Sequence, residues 1–175
     1  MVSMLVDLTE GASIEINVLG KTSMVGVAVM DGPSFYRATV RSTGLAFRMP
    51  ISALQDVAKN CPVYSLAAQS NVYKLMAQMA QTMACARHHS TEKQIIRWFL
   101  ITLDHTLTSV IKSTQQEVAD LLGFRREAVA LALKKLVTRG HVTLSRGQIE
   151  IINRPALEKT SCDCYWIYQE RKRTV

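Results

Sequence analysis

Short runs in which apolar and polar side chains alternate occupy the first fifty residues. Met4–Leu8, Ser13–Leu19, Met24–Met30, Tyr36–Val40 and Leu45–Met49 are separated by Glu10-Gly11, Gly20-Lys21, Asp31-Gly32-Pro33 and Thr43-Gly44. A period of two broken by turn residues predicts strands, here arranged as a compact antiparallel roll. Pro50 then opens a short helix, Ile51–Asn60. After Cys61-Pro62 the apolar spacing becomes helical and continues to about His88, with Pro62 in the first turn, where a missing N–H costs nothing. Along this long helix Val72, Met76, Met79, Met83 and Ala86 step by 4, 3, 4 and 3, an apolar seam that repeats every seven residues. Such a seam packs either on the helix's own domain or on a partner helix; a second copy of the chain is the expected partner, and methionine suits an interface that repacks.

The second half carries a denser pattern in Thr114–Leu136, TQQEVADLLGFRREAVALALKKL. Val118, Ala119 and Leu122 form one apolar face, and Val129, Ala132, Leu133 and Leu136 form another at spacings of three and four. Thr114 followed by Glu117 is a capping box, and Gly123 supplies the left-handed backbone that a sharp helix exit needs. Phe124 then plugs the corner between two short helices. The layout is that of a helix-turn-helix whose second helix begins with Arg125, Arg126 and Glu127. Arginine can bond guanine O6 and N7 together, and glutamate can accept from cytosine N4. Lys134, Lys135 and Arg139 lie further along, where phosphates are within reach and binding becomes salt-dependent. The plainer reading is a pair of core helices with a solvated charged face; cap, small residue, glycine and basic start all coincide against it. Downstream, His141–Asn153 alternates on either side of Ser145-Arg146-Gly147, which predicts a hairpin wing. Arg146 at its tip is a phosphate or minor-groove contact, or a solvated turn residue.

Charge sharpens this assignment. The formal net charge is +7; residues 1–90 hold 7 basic and 5 acidic side chains, whereas residues 91–175 hold 14 and 9, so the excess lies with the reader helices. At 175 residues and 48% hydrophobic content the chain can bury a substantial core. No run reaches the ~18 apolar residues of a membrane span, and the start MVSMLVDLTE lacks the regions of a signal peptide, so a cytoplasmic location is expected. There Cys61, Cys85, Cys162 and Cys164 stay reduced. Cys162 and Cys164 lack the spacer and second pair of a zinc motif, and Cys85, His88 and His89, although on one helix face, offer three ligands without a fourth, so no metal site is expected. No nucleophile with a base, phosphate loop or zinc-protease pattern is present, and the chain is expected not to be an enzyme.

The order of roll, short helix, long helix and winged helix resembles that of the CRP/FNR family of bacterial transcription regulators. The likeness rests most on ARHHSTEKQIIRWFLITLDH (Ala86–His105), SRGQIEI, and residues 114–129, which fit the family pattern T-Q-x-E-[VIL]-A-x-x-L-G-x-x-R-E-x-V. The resemblance implies an α+β protein with a truncated, cyclic-nucleotide-binding-like antiparallel β-roll (1–61), a long dimerisation helix (62–89) and a carboxy-terminal winged helix-turn-helix (90–175). It further implies that Thr114 and Gln115 touch phosphates, that Arg126 and Glu127 read bases, and that Arg125 assists. Leu131 stands where many members carry an arginine, which points to a different half-site. At the phosphate-cradling turn the chain has Val25-Gly26-Val27 without the ribose-binding carboxylate, and Arg37 in Tyr36-Arg37-Ala38-Thr39 is one position out of line. These departures argue against cyclic nucleotide, and no cofactor is identified. Members also carry strands before a segment like VSMLVDLTEGASIEI; the expectation is a fragment, a misplaced start or a reduced sensor, with exposed edges and apolar surface. The function expected is therefore sequence-specific binding of double-stranded DNA as a homodimer on a palindromic operator, RNA polymerase being a further partner and the effector open. The alternative is a protein-interaction module with a degenerate sensor and weak, non-specific DNA binding.

Overall fold

A computed structural model of the chain describes residues 1–26 and 34–173. β1 (Val2–Asp7) is the central strand of an antiparallel sheet, between β2 (Ser13–Leu19) and β3 (Arg37–Val40). Val2 pairs with Leu19 and Asp7 with Ser13, with a bulge between Met4 and Leu5 that leaves both side chains buried. The run Leu45–Met49 is not a strand. Alternation alone does not make one without an edge to pair with, and Leu45 and Phe47 are fully exposed, at 103% and 107%. Met24–Gly26 is not strand either, and the rest of the run Met24–Met30, with the Asp31-Gly32-Pro33 turn, lies outside the described residues.

The helices begin where the prolines punctuate the chain. α1 (Ile51–Asn60) follows Pro50, and α2 (Pro62–His88) holds Pro62 in its first turn. α2 rests on the roll through Asn71, whose Oδ1 accepts from Met24 N (3.2 Å), and through its Leu75 carbonyl, which accepts from Asn17 Nδ2 (3.4 Å). Its buried positions are Asn71, Leu75 and Cys85, whereas Leu66, Tyr73, Met76 and Met83 are exposed. At the helix start Val63 is exposed as well, and among the non-helical residues so is Phe35.

The spine of the carboxy-terminal half is α3 (Thr91–Leu103), capped by Ser90 and buried from Ile95 to Leu103. Around it lie α4 (Gln115–Leu122) and α5 (Arg126–Thr138), then α6 (Arg154–Thr160) and α7 (Asp163–Arg173). β4 (Val110–Ile111), β5 (Val142–Ser145) and β6 (Gln148–Ile151) form a second antiparallel sheet in the order β4-β6-β5. The core joins Ile95, Phe99 and Leu100 to Val118, Val129, Leu133, Leu136, Ile149 and Leu157. Leu5 and Val18 of the roll belong to the same cluster, so the sheet docks on the reader half through a shared apolar face. The docking is close: a Cβ on Gly20 would meet His105 Nδ1 at 2.0 Å, so no other residue fits there without a shift. The architecture is thus α+β, small antiparallel sheets with helices and a carboxy-terminal helix-turn-helix. Among the described residues, no helix is long and apolar enough to cross a membrane.

Candidate nucleic-acid interface

The entry to α4 is held by a reciprocal cap. Thr114 Oγ1 accepts from Glu117 N (3.1 Å), and Glu117 Oε2 accepts from Thr114 N (2.6 Å) and from Ser113 Oγ (3.3 Å). The Thr114 amide, ahead of the neighbouring hydroxyls, keeps the Glu117 carboxyl below the usual carboxylate range. The amides of Gln115 and Gln116 belong to the first turn and have no partner within the helix, so they face outward with the positive end of its dipole. At the other end Gly123 adopts φ 71°, and Phe124 N donates back to Ala119 O (2.8 Å), which closes the turn. Phe124 is half-buried against the core, as a corner plug should be. Leu121 rather than Leu122 completes the buried face of α4.

α5 buries Val129, Ala132, Leu133 and Leu136, which turns Arg126, Glu127, Leu131 and Lys134 to the outside. Arg125 is the N-cap residue, makes no side-chain cap bond and is exposed. Glu127, in the first turn, complements the helix dipole. Between the start of α4, the start of α5 and the wing lies a hollow of about 440 Å³, walled by Ser113, Thr114, Gln115, Arg126, Ser145 and Gln148. Hydroxyls, outward amides and one guanidinium converge there, a donor set suited to a phosphate. The wing is the hairpin expected, but its turn is two residues, Arg146-Gly147, because Ser145 pairs with Gln148; Arg146 is exposed at its tip.

Two of the basic residues are otherwise engaged. Arg139 Nη1 lies 2.5 Å from Glu92 Oε1 and Lys135 Nζ lies 3.9 Å from Glu92 Oε2, so both brace α5 against α3 instead of standing free for phosphates. Lys134, by contrast, is exposed and has no ion pair among the described residues. In the roll, Arg37 is spent on Asp7: Nε donates to Oδ2 (2.9 Å) and Nη2 to Oδ1 (2.7 Å). That pair, helped by Ser13, pulls the Asp7 carboxyl down to about 2. Along the long helix the seam residues divide. Met76 and Met83 are exposed, as is Ala86, whereas Val72 and Met79 are partly covered, Met79 by the roll. The outward apolar stripe is therefore rotated slightly from the expected one and runs through Leu66, Tyr73, Met76, Ala80 and Met83.

Two features are not legible in local spacing. Glu15 of β2 is buried and accepts from Trp98 Nε1 (2.6 Å) on α3 and from Ser3 Oγ, which pins the roll to the reader half. Burial pushes its carboxyl above the ordinary range, against the pull of both hydrogen bonds. The expectation of no metal site weighs Cys85, His88 and His89 apart from Cys162 and Cys164. In the fold Cys85 and His89 meet Cys162 and Cys164, while His88 points to solvent. The two cysteines that complete the group come from a segment more than seventy residues away, so no local motif shows it.

Reader helices, a wing and a long helix behind them define a winged helix-turn-helix DNA-binding protein. Residues 93–160 match the Crp-like helix-turn-helix domain family. The chain is similar in structure to a transcriptional regulator assigned to the CRP/FNR family from Eubacterium rectale, with TM-score 0.68 and 18% identity over 90% of this chain and 75% of that one. It is also similar to a CRP family regulator from Thermus thermophilus, with TM-score 0.65 and 21% identity over 90% and 82%. A third likeness is to CLP, a c-di-GMP-responsive global regulator from Xanthomonas campestris, with TM-score 0.62 and 16% identity over 87% and 80%. No curated protein matches the chain in sequence. The chain therefore shares the fold of these CRP/FNR regulators and carries, over residues 93–160, a Crp-like helix-turn-helix domain.

Proposed function

We propose that the chain acts as a homodimer that binds an inverted repeat in double-stranded DNA and so regulates transcription in the cytoplasm. The observation that carries this reading is the exposed Arg125-Arg126-Glu127 start of α5 beside the donor-lined hollow it shares with α4 and the wing. Arg126 and Glu127 are the base readers, and Arg125 assists. Thr114, Gln115, Lys134 and Arg146 hold phosphates and set the register. Dimerisation follows from the apolar stripe of α2, because two reader helices about 34 Å apart meet successive major-groove faces. Residues Val72, Met76, Met79, Met83 and Ala86, with Leu66 and Tyr73, form that interface. RNA polymerase is the further partner of such a regulator. A cyclic nucleotide is not the expected effector: Val25-Gly26-Val27 lacks the ribose-binding carboxylate, and Arg37 is paired with Asp7 on the exposed sheet surface.

Selection of duplexes from a random pool by the purified chain tests the reading. An inverted repeat should emerge, bound with an affinity that falls steeply with salt. A second reading is favoured by the exposed Phe35, Leu45 and Phe47, which offer a surface to a protein partner. A stable hetero-complex with only sequence-indifferent DNA binding would support that reading and sink the first.

A further inference from the structure

Cys85 and His89 stand one turn apart at the carboxy-terminal end of α2 and face Cys162 and Cys164 where the chain enters α7. The sulfur and ring-nitrogen atoms of all four lie within 4.8 Å of one another. Cys85 Sγ is 3.7 Å from Cys162 Sγ, and Cys164 Sγ is 3.6 Å from His89 Nδ1. We propose that these side chains form a mononuclear Zn²⁺ site of the Cys₃His type, which fastens the end of α2 to α7.

The spacing favours one tetrahedral ion. Zinc–sulfur bonds of ~2.3 Å at tetrahedral angles set two thiolates about 3.8 Å apart and a thiolate and an imidazole slightly closer. Both observed separations match. A cluster of several irons would spread its ligands wider. A disulfide between Cys85 and Cys162 needs sulfurs at ~2.05 Å and would leave Cys164 and His89 without a purpose at the same centre. Buried cysteines alone are commonly small apolar fillers, but a histidine aimed among three of them is not explained that way.

The surroundings are those of bound metal. His89 presents Nδ1 to the centre while its Nε2 lies 3.4 Å from Asp163 Oδ1, the carboxylate partner that fixes the tautomer of a metal-bound imidazole. Gln81 Nε2 donates to Cys164 Sγ at 3.1 Å. Three thiolates, a neutral imidazole and Zn²⁺ carry one net negative charge, and a counter-charge is at hand. Arg97 is buried close to Cys85; one of its nitrogens donates to Thr82 Oγ1 (3.2 Å), and its Nε has no hydrogen-bond partner among the described residues. Binding releases the thiol protons to solvent and changes no oxidation state. Because α2 carries the apolar stripe and α7 packs on α3, the ion would fix the angle between the helix proposed to pair two chains and the half that meets DNA.

Metal analysis of the full chain, purified under reductant from zinc-supplemented cells, tests this. About one zinc per chain is expected. Co²⁺ added to the chelator-stripped protein should give an intense thiolate-to-cobalt band in the near ultraviolet and strong visible bands of a tetrahedral field. Cys162→Ser and His89→Gln should lose both, whereas Cys61→Ser, outside the cluster, should keep them. If either ligand variant fails to fold, the cobalt spectrum of the unaltered chain still decides. Reduced protein that takes up neither zinc nor cobalt, a Cys85–Cys162 disulfide in the intact mass, or an iron cluster chromophore would each overturn the proposal. None of these readouts depends on DNA binding, so failure here leaves the DNA-binding reading standing.

Discussion

Glu15 shows how a single side chain links the two halves. Its carboxyl is buried beneath the roll with the Trp98 indole and the Ser3 hydroxyl as donors, and desolvation raises its pKa more than those bonds lower it. A raised folded-state pKa means that the protonated form is favoured on folding. Its contribution is complete below the unfolded value and is lost as pH rises through the folded one. Glu15→Gln keeps an oxygen for Trp98 and an amide that Ser3 can accept, without the charge. The variant should melt with the parent at about pH 4 and above it at about pH 8. Glu15→Leu leaves Trp98 and Ser3 unpaired and should cost about 1 to 3 kcal/mol at the lower pH and less at the higher. Thermal melts at the two pH values check this, and a Gln variant that melts below the parent at the higher pH contradicts it.

At the scale of elements, the two reader helices depend on their ends. Removing the Thr114 hydroxyl orphans the Glu117 amide, so Thr114→Ala should lower stability in urea by about 1 kcal/mol. Leu131 is 59% exposed on α5, one turn beyond Glu127, where an apolar side chain can meet a thymine methyl. Leu131→Arg should shift the preferred half-site toward guanine with little change in melting temperature. Duplex selection on the variant measures that shift, and an unchanged half-site would place Leu131 outside the groove. These elements are readable because their information is local. Capping box, turn glycine and apolar steps all lie within one stretch, and the prolines at 50 and 62 mark where α1 and α2 begin. Leu45–Met49 departs from its strand-like pattern because the alternation lacks a paired neighbour, which only the assembled sheet reveals. The choice of Leu121 over Leu122 likewise depends on the angle at which α4 meets the core.

The whole molecule adds what distant segments do together. Leu5 and Val18 joining the core around α3, and the meeting of Cys85 and His89 with Cys162 and Cys164, involve separations along the chain that no short motif spans. The seam on α2 is legible as a seven-residue repeat, but which side faces outward is set by the roll, which covers Leu75 and part of Met79. Met76 and Met83 remain 61% and 66% exposed. Charging them together, Met76→Lys with Met83→Lys, should halve the mass seen by sedimentation and weaken binding to a two-half-site duplex by on the order of a hundredfold. Binding to a single half-site should stay nearly as it was. A double variant that sediments like the parent would move the dimer interface elsewhere. The most direct measurement is the affinity of the chain for its selected inverted repeat and for a scrambled duplex at one fixed salt concentration, repeated with Arg126→Ala and Glu127→Ala. The parent should prefer the repeat on the order of a thousandfold, and each variant should lose about 1 to 3 kcal/mol on the repeat alone. Equal affinity of parent and variants for the repeat, or no preference by the parent, would contradict the assignment of α5 as the reader.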